Sequence, residues 1–219
     1  DPVRLPGDRD ADANCVLFDL SHLGLLSVSG PDARDFLQGQ LTNDIRELSQ
    51  THTQLSSHCS PKGRMLASFR LIQRGSTVLL QLPRERVASL LQRLRLFVLR
   101  AQVTIDDASD AIVRIGLTGN GAPALLESLG LPAPASDGAV IGAGDVSVLR
   151  LPAPAPRFEL LGPFDAIRAL WPGLAQASSP GSADEWALHD IRAGVPNVFD
   201  ETADAFVPQM VNLQLIDGV

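Results

Sequence analysis

Residues 64–71 are Arg-Met-Leu-Ala-Ser-Phe-Arg-Leu, the clearest structural pattern in the chain. From Met65 onward every second side chain is apolar, which is the period of a strand with one buried face. A preceding strand spans Thr51 to Cys59, and the two are joined by Ser60-Pro61-Lys62-Gly63. Serine, proline and glycine at the first, second and fourth positions are preferred in a type I turn. These residues therefore predict an antiparallel hairpin.

The hairpin belongs to a block of about residues 49–108. Gly75-Ser76 turns the chain into a third strand, Thr77 to Leu82. A helix follows, because apolar residues recur at helical spacing between Val87 and Val98. A strand from Ala101 to Ile105 ends the block. This β-β-β-α-β order predicts an antiparallel sheet with a helix on one face.

Strands and helices are also predicted on both sides of the block. Residues 1–13 are polar and contain proline and glycine, so we expect a loose arm there. Ser182 and Glu185 fit the capping box of a last helix. The predicted elements are strands at 16–18, 23–28, 111–117, 146–151 and 158–161, helices near 30–41, 122–129, 163–170 and 183–193, and a loop at 131–144. Together they predict an α+β fold with mainly antiparallel sheets.

The composition limits the possible functions. The net charge of −7 argues against general binding to nucleic-acid backbones, which needs a basic surface. No apolar run reaches the roughly 20 residues of a membrane span, and no basic-then-apolar leader opens the chain. We therefore expect a soluble, cytoplasmic protein. Cys15 and Cys59 are too few for a disulfide framework or a zinc site, and we expect buried or unreactive thiols.

Trp186 is the leading candidate for a ligand contact. On a helical wheel the apolar face of its helix consists of Ala187, Leu188 and Ile191, and Trp186 points away from that face. An exposed indole gains little, so Trp186 should meet a ligand or another protein surface. Packing beneath a neighbouring loop is the alternative.

Two polar clusters are candidates for the wall of a pocket. The first follows the first helix and consists of Gln40, Thr42, Asn43 and Asp44. It either lines a pocket floor or satisfies its own backbone in an Asx turn. The second is one face of a strand and consists of His52, Gln54, Ser56 and His58. It is either a cavity wall or a solvated surface, and without a third ligand it does not predict a metal site.

Basic residues are unevenly distributed. Lys62 is the only lysine among the 18 basic residues and lies in the hairpin turn. A lysine is a compact charge on a flexible stem, so Lys62 is either an anion contact or a solvated turn residue. The block also contains an arginine-rich helix with Arg84, Arg86, Arg93, Arg95 and Arg100. This helix has either a solvated face or an RNA-binding patch.

The last segment, residues 206–219, mixes apolar residues with the amides of Gln209, Asn212 and Gln214. Buried amides need hydrogen-bond partners, so the mixture favours a pocket wall. Together with residues 37–45, Leu-Gln-Gly-Gln-Leu-Thr-Asn-Asp-Ile, and residues 60–64, Ser-Pro-Lys-Gly-Arg, the segment resembles the YgfZ family. These folate-binding proteins are related to the T-protein of the glycine cleavage system and to mitochondrial iron–sulfur assembly factors. The resemblance extends from about residue 15 to residue 219.

The resemblance implies a T-protein-like folate-binding fold. Residues 1–48 and 109–219 would form a discontinuous folate-binding domain, and residues 49–108 an inserted α+β domain. The family's third domain, a small β-barrel, is absent from this chain. In the family the terminal segment runs into a Lys-Gly-Cys-Tyr-x-Gly-Gln-Glu signature, whereas this chain ends at Val219 and does not begin with methionine. We expect a chain trimmed at both ends, whose intact form continues with that signature.

The resemblance also implies a function. A bacterial protein of this family would bind tetrahydrofolate or another reduced folate and support iron–sulfur cluster assembly or repair, including that of enzymes that modify tRNA. Its partners would be the folate and iron–sulfur client enzymes, without direct nucleic-acid or membrane contact. With the polar clusters and cations described above, the folate contacts that we expect are Trp186, Leu23, Gln40, Asn43, Asp44, Arg192, Gln209 and Asn212, with Lys62 and Arg64 at the anionic tail. Replacing Trp186 by alanine should weaken folate binding and leave thermal stability nearly unchanged.

Two positions depart from the family pattern. Many relatives have glutamate in place of Arg192, and in the T-protein that carboxylate lies at the pterin ring. A guanidinium cannot accept hydrogen bonds from the pterin edge. Leu23 replaces a second folate-facing aromatic residue. The alternative function, a folate-dependent aminomethyltransferase or demethylase, needs a carboxylate near the reactive nitrogens, so Arg192 favours an accessory protein over this enzyme.

Overall fold

The computed structural model describes residues 14–219, so the loose arm expected at residues 1–13 lies outside the described residues. Its strands are β1 (Val16–Asp19), β2 (Leu23–Ser29), β3 (Gln54–Cys59), β4 (Met65–Arg74), β5 (Thr77–Pro83), β6 (Thr104–Asp107), β7 (Val113–Thr118), β8 (Val140–Ala143), β9 (Val146–Leu151), β10 (Arg157–Gly162) and β11 (Ser179–Gly181). The α-helices are α1 (Ala33–Gln38), α2 (Val87–Arg95), α3 (Ala122–Ser128), α4 (Phe164–Gln176) and α5 (Ala183–Arg192). The terminal segment contains two 3₁₀ helices, Pro208–Val211 and Leu213–Ile216. The predicted α+β class is confirmed.

The first sheet has six strands in the order β11-β1-β7-β10-β9-β8. β1 and β11 are parallel, and β1–β7, β7–β10, β10–β9 and β9–β8 are antiparallel. One face packs against α3 and α4, where Leu126, Phe158 and Leu174 are fully buried. The second sheet is antiparallel, with the order β3-β4-β5-β2-β6. Its core beneath α1 and α2 contains Ala67 and Leu71, so the predicted period of two is confirmed.

The two sheets share a third core. Phe18 and Leu161 come from the first sheet, Ile72 and Leu79 come from the second, and Trp186 comes from α5. Because each sheet buries apolar residues on both sides, the polar groups near this shared core need partners within the protein.

Two local predictions are confirmed by hydrogen bonds. In the hairpin turn, the Gly63 N–H donates to the Ser60 carbonyl oxygen at 2.9 Å, and the φ of 74° at Gly63 is easily adopted by glycine. At α5, the Ser182 hydroxyl accepts from the Glu185 N–H at 3.2 Å, and the Glu185 carboxylate accepts from the Ser182 N–H at 2.8 Å. Both features can be predicted from the sequence because all the residues that form each of them lie within four consecutive positions.

Several predicted boundaries differ from the observed ones, and three of them have a clear physical cause. The loop expected at 131–144 contains β8, which pairs with β9 and is therefore fixed by a neighbour. The strand after α2 is Thr104–Asp107 instead of Ala101–Ile105, because its position is set by pairing with β2. Helix α4 continues past Pro172 to Gln176, and the fully buried Leu174 anchors its extra turn.

Strand β2 lies between β5 and β6, so the second sheet includes a strand from outside residues 49–108. The division into two domains stays a prediction. Within residues 14–219, no helix has both the length and the apolar character needed to cross a membrane.

Candidate functional site

A cavity of about 510 Å³ opens beside the second sheet, and we call it the larger cavity. Asn43 after α1, Gln54 on β3 and Arg70 on β4 line it. Val195 after α5 and Asp217 in the terminal segment complete the wall. Its volume lies within the roughly 300–1,000 Å³ of small-molecule sites. The larger cavity is therefore the candidate binding site.

A second cavity of about 40 Å³, the smaller cavity, lies deeper between the sheets. It shares Leu55, Arg70 and Val195 with the larger cavity, so the two adjoin. Leu23 and Trp186, both predicted folate contacts, also line it. A space of this size holds a water molecule or two but not a pterin ring.

Buried polar groups from both sheets meet at the smaller cavity. Gln81 on β5 donates from Nε2 to Oε1 of Glu159 on β10, at 2.6 Å. Burial raises the pKa of the Glu159 carboxyl to about 7, and the positive charges of Arg114, Arg70 and Arg157 oppose part of that rise. Glu159 can therefore exchange a proton near neutral pH.

Arg157 fixes the indole of Trp186. Its guanidinium lies 3.9 Å from the centre of the indole ring and donates to Asp190 Oδ1 at 2.7 Å. It also donates to the Trp186 carbonyl oxygen at 3.3 Å. A cation held over an aromatic face in a desolvated site is worth about 2 kcal/mol.

The predicted apolar face of α5 is wrong, and Trp186, which points away from it as expected, packs against another protein surface. The side chain is 2% exposed, whereas Ile191, which was expected to be buried, is 72% exposed. The indole fits into a hollow above Gly116, where an added Cβ would lie 2.3 Å from Cζ3. Phe18 packs against it with ring centroids 5.2 Å apart. Because Arg157 covers one ring face, stacking on a pterin would require rearrangement, and the folate contact stays a prediction.

The loop after α1 binds the terminal segment. Thr42 Oγ1 donates to the Gly218 carbonyl oxygen at 3.1 Å, and Asn43 Nδ2 donates to the Asp217 carbonyl oxygen at 2.5 Å. Asp44 accepts from the Arg46 N–H at 3.0 Å in an Asx turn and lines neither cavity. Gln40 also lines neither cavity. Of the predicted loop contacts, the structure thus places Asn43 at the larger cavity.

The terminal amides are not buried as expected. Gln209, Asn212 and Gln214 are exposed, because the segment forms short 3₁₀ turns that turn apolar residues such as Pro208 and Leu213 inward instead. Leu213 is 1% exposed and packs with Met65. The segment nevertheless forms part of the wall, through Ile216 and Asp217 in the larger cavity.

The three cations proposed as folate or anion contacts lie elsewhere. Lys62, Arg64 and Arg192 are exposed and line neither cavity. Arg64 donates to the carbonyl oxygen of Ala205 at 2.6 Å. Their roles in ligand binding stay predictions.

The polar face of β3 is more buried than a solvated surface would be. Ser56 and His58 are 1% and 3% exposed. His58 Nδ1 bonds the Gln40 carbonyl oxygen at 2.8 Å, and burial lowers the pKa of the ring. His52 and Gln54 line the larger cavity. The described part of the chain has no cluster of three or more His, Cys, Asp or Glu side chains that could hold a metal ion.

Neither cysteine is a thiolate at neutral pH, and two arginines of the arginine-rich helix bond backbone carbonyl oxygens, while an RNA-binding patch on this helix stays a prediction. Burial raises the thiol pKa of Cys15 and of Cys59, which keeps both thiols protonated at neutral pH. Arg86 donates to the Leu66 carbonyl oxygen at 2.7 Å, and Arg95 donates to that of Ile105 at 2.6 Å.

The sequence interpretation missed Arg70, Gln81, Arg157 and Glu159. A signal was present, because Arg157 and Glu159 place charges at alternate positions of a strand that otherwise contains Phe158, Leu160 and Leu161. A charged stripe on a central strand indicates a buried polar site when another element covers that face.

Comparison with known proteins identifies the family. Residues 9–146 match the family model described as the GCVT N-terminal domain. The chain belongs to this family. The GCVT N-terminal domain match agrees with the structure, because the crystal structure of glycine cleavage system aminomethyltransferase T from Bartonella henselae superposes with a TM-score of 0.67. That pair is 23% identical over 78% of this chain and 48% of the other, so it shows the fold alone. A heterotetrameric sarcosine oxidase from Corynebacterium sp. U-96 gives a TM-score of 0.53 at 14% identity over 74% of this chain and 83% of the other.

Within this family, the resemblance to YgfZ is confirmed. The tRNA-modifying protein YgfZ of Colwellia psychrerythraea is 34% identical over 93% of this chain and 62% of that protein. The protein of the same name from Edwardsiella ictaluri is 35% identical over 89% of this chain and 59% of its own length. The chain thus spans about three-fifths of the length of these relatives.

Proposed function

We propose that this chain is the tetrahydrofolate-binding part of a cytoplasmic bacterial protein that supports assembly or repair of iron–sulfur enzymes. Enzymes that modify tRNA would be among its clients. The proposal is supported by the GCVT N-terminal domain, by relatives named tRNA-modifying protein YgfZ and by a cavity of suitable size. A bound tetrahydrofolate would supply one-carbon chemistry, and the residues of this chain would bind and orient it.

One observation carries the folate assignment. Gln54 lines the larger cavity, and its buried Oε1 has no hydrogen-bond partner. Its Nε2 is already held by the Asp44 carbonyl oxygen at 2.9 Å. A pterin edge presents N–H donors, and a small shift of Gln54 would let Oε1 accept one of them. A ligand donor would thus relieve an unsatisfied acceptor, which costs about 1–3 kcal/mol when buried.

Gln54→Ala tests this assignment directly. We expect the dissociation constant for tetrahydrofolate to rise by about tenfold, which corresponds to one hydrogen bond of about 1.4 kcal/mol. Calorimetric titration measures it, with Gln92→Ala as the control because Gln92 is exposed on α2 and lines neither cavity. Equal affinities of the two variants would contradict the assignment.

The cellular role needs a separate test. In a bacterial strain that lacks its own homologue, the complete protein should restore the nucleoside modifications made by iron–sulfur enzymes, as quantified by mass spectrometry of tRNA. The Gln54→Ala protein should restore them less well at equal abundance. If a variant that no longer binds folate restored the modifications fully, the cellular role would not depend on folate binding.

The second candidate is the aminomethyltransferase, and Glu159 is the observation in its favour. A buried carboxyl with a pKa of about 7 beside the smaller cavity is suited to proton transfer. Arg192, in the position of the expected catalytic carboxylate, is exposed and lines neither cavity. We expect no aminomethyl transfer from a carrier protein to tetrahydrofolate. Turnover of about 1 per second or faster in a purified assay would establish the enzyme instead.

A further inference from the structure

Arg70 on β4 is a half-buried guanidinium whose charge has no close partner. Its Nη1 donates to Thr53 Oγ1 at 3.1 Å. Within residues 14–219 it takes part in no ion pair, and its Nε and Nη2 have no hydrogen-bond partner. Burial lowers the pKa of this guanidinium, and the negative charges of Asp190 and Glu159 oppose only part of that effect. Arg70 therefore lacks an anion that would stabilise its charge.

The free edge of Arg70 has the geometry that binds a carboxylate. The N–H bonds of Nε and Nη2 are parallel and lie in one plane, and a carboxylate accepts both at once through its two oxygens. A halide ion has no such pair of acceptor atoms. Neither nitrogen is fully enclosed by the described residues, and Arg70 lines both cavities. A ligand in one of these cavities can therefore reach this edge.

The charges on the two cavity walls favour the smaller cavity as the place for an anion. The carboxylates that line the larger cavity are those of Glu47, Asp137 and Asp217. They repel an anion there. In the smaller cavity, the carboxylate of Asp190 is neutralised by Arg157, whose Nη1 lies 2.7 Å from its Oδ1. Glu159 has a pKa of about 7 and so carries only about half a negative charge at neutral pH. The charge of Arg70 thus exceeds the negative charge that remains on this wall.

We propose that the smaller cavity binds a small carboxylate of the size of formate, held by Nε and Nη2 of Arg70. Its volume of about 40 Å³ suits formate, the smallest carboxylate, which takes about the space of two water molecules. A phosphate ion or a pterin ring is too large for this space. Because Arg70 also lines the larger cavity, the carboxylate would lie beside that cavity. The inference does not require that folate binds.

Formate is titrated into the complete protein without folate, and binding is measured by the broadening of the NMR signal of formate. Acetate and chloride are compared with it at the same ionic strength. We expect saturable binding of formate, weaker binding of acetate because its methyl group needs more room, and no saturable binding of chloride. Formate should also raise the unfolding midpoint above its value in chloride, because a ligand that binds the folded state stabilises it. Formate that does not saturate, or acetate that binds as tightly as formate, overturns the proposal.

A variant that keeps the charge tests the role of Arg70. Arg70→Lys replaces the two parallel donors by a point charge, so formate affinity should fall by at least about tenfold. Arg168→Lys is the matched control, because Arg168 is exposed on α4 and lines neither cavity. Equal formate affinities of Arg70→Lys and the wild type contradict the proposal. If Arg70→Lys does not fold, the order of formate, acetate and chloride in the wild type decides.

The outcome is separate from that of the proposed function. Folate binding without formate binding contradicts this inference alone. Formate binding that depends on Arg70, in a protein that binds no folate, supports this inference and contradicts the proposed function.

Discussion

At the scale of single residues, Trp186 is a structural side chain whatever its role in binding. It is 2% exposed and fills the hollow above Gly116. Trp186→Ala removes this packing and leaves a cavity, so we expect the free energy of unfolding to fall by about 3–5 kcal/mol. Urea denaturation followed by circular dichroism measures the loss. Trp171→Ala is the control, because Trp171 is 48% exposed and should cost about 1 kcal/mol. An unchanged midpoint for Trp186→Ala would contradict the burial and support the expectation formed from the sequence.

The burial of Trp186 cannot be predicted from a helical wheel, because the wheel considers one helix alone. The wheel identifies an apolar stripe within α5, but the space for the indole is made by Gly116 on β7 and by Phe18 on β1. These residues lie far from α5 in the chain. A glycine on a facing strand can thus make room for a side chain that the helix's own pattern predicts to be on its exposed side.

At the scale of elements, α5 depends on its first turn. Ser182 and Glu185 exchange two hydrogen bonds that satisfy backbone N–H groups otherwise left without partners. Ser182→Ala should lower the free energy of unfolding by about 1 kcal/mol. Ser76→Ala in the β4–β5 turn is the control, since Ser76 is exposed and caps no helix. Equal unfolding midpoints for the two variants would show that the capping box does not stabilise α5.

The elements that sequence reasoning located best are those stabilised by near neighbours. Strand β9 was predicted at its observed bounds, and the hairpin turn and the α5 cap were correct. The placement of β2 between β5 and β6 was missed, because strand pairing across many residues leaves no local pattern. The candidate site was predicted only in part for the same reason: Asn43, Leu23 and Trp186 reach a cavity wall, while Glu159 and Arg70 become neighbours only after both sheets have formed.

At the scale of the whole molecule, the buried carboxyl of Glu159 between the two sheets makes the free energy of unfolding depend on pH. Folding raises the pKa of Glu159 from 4.5 to about 7, mainly through burial. The folded state therefore holds this proton more tightly than the unfolded state. This tighter proton binding adds up to about 3 kcal/mol to the free energy of unfolding. The added stability is fully present below about pH 4.5 and is lost as the pH rises towards 7. Urea unfolding between pH 5 and 8 should show this decline in the wild type and less of it in Glu159→Gln. Parallel curves for the two proteins would contradict the shift.

The position of β1 between β7 and β11 has a consequence for biosynthesis. Its only partners in the described sheets are residues 113–118 and 179–181. A ribosome adds about 5–20 residues per second, so β1 emerges on the order of ten seconds before its last partner exists. Until translation passes residue 113, both edges of β1 carry unpaired backbone groups, the condition under which strands associate with other chains. A nascent chain that ends before β7 therefore exposes both edges of β1 and cannot form the first sheet.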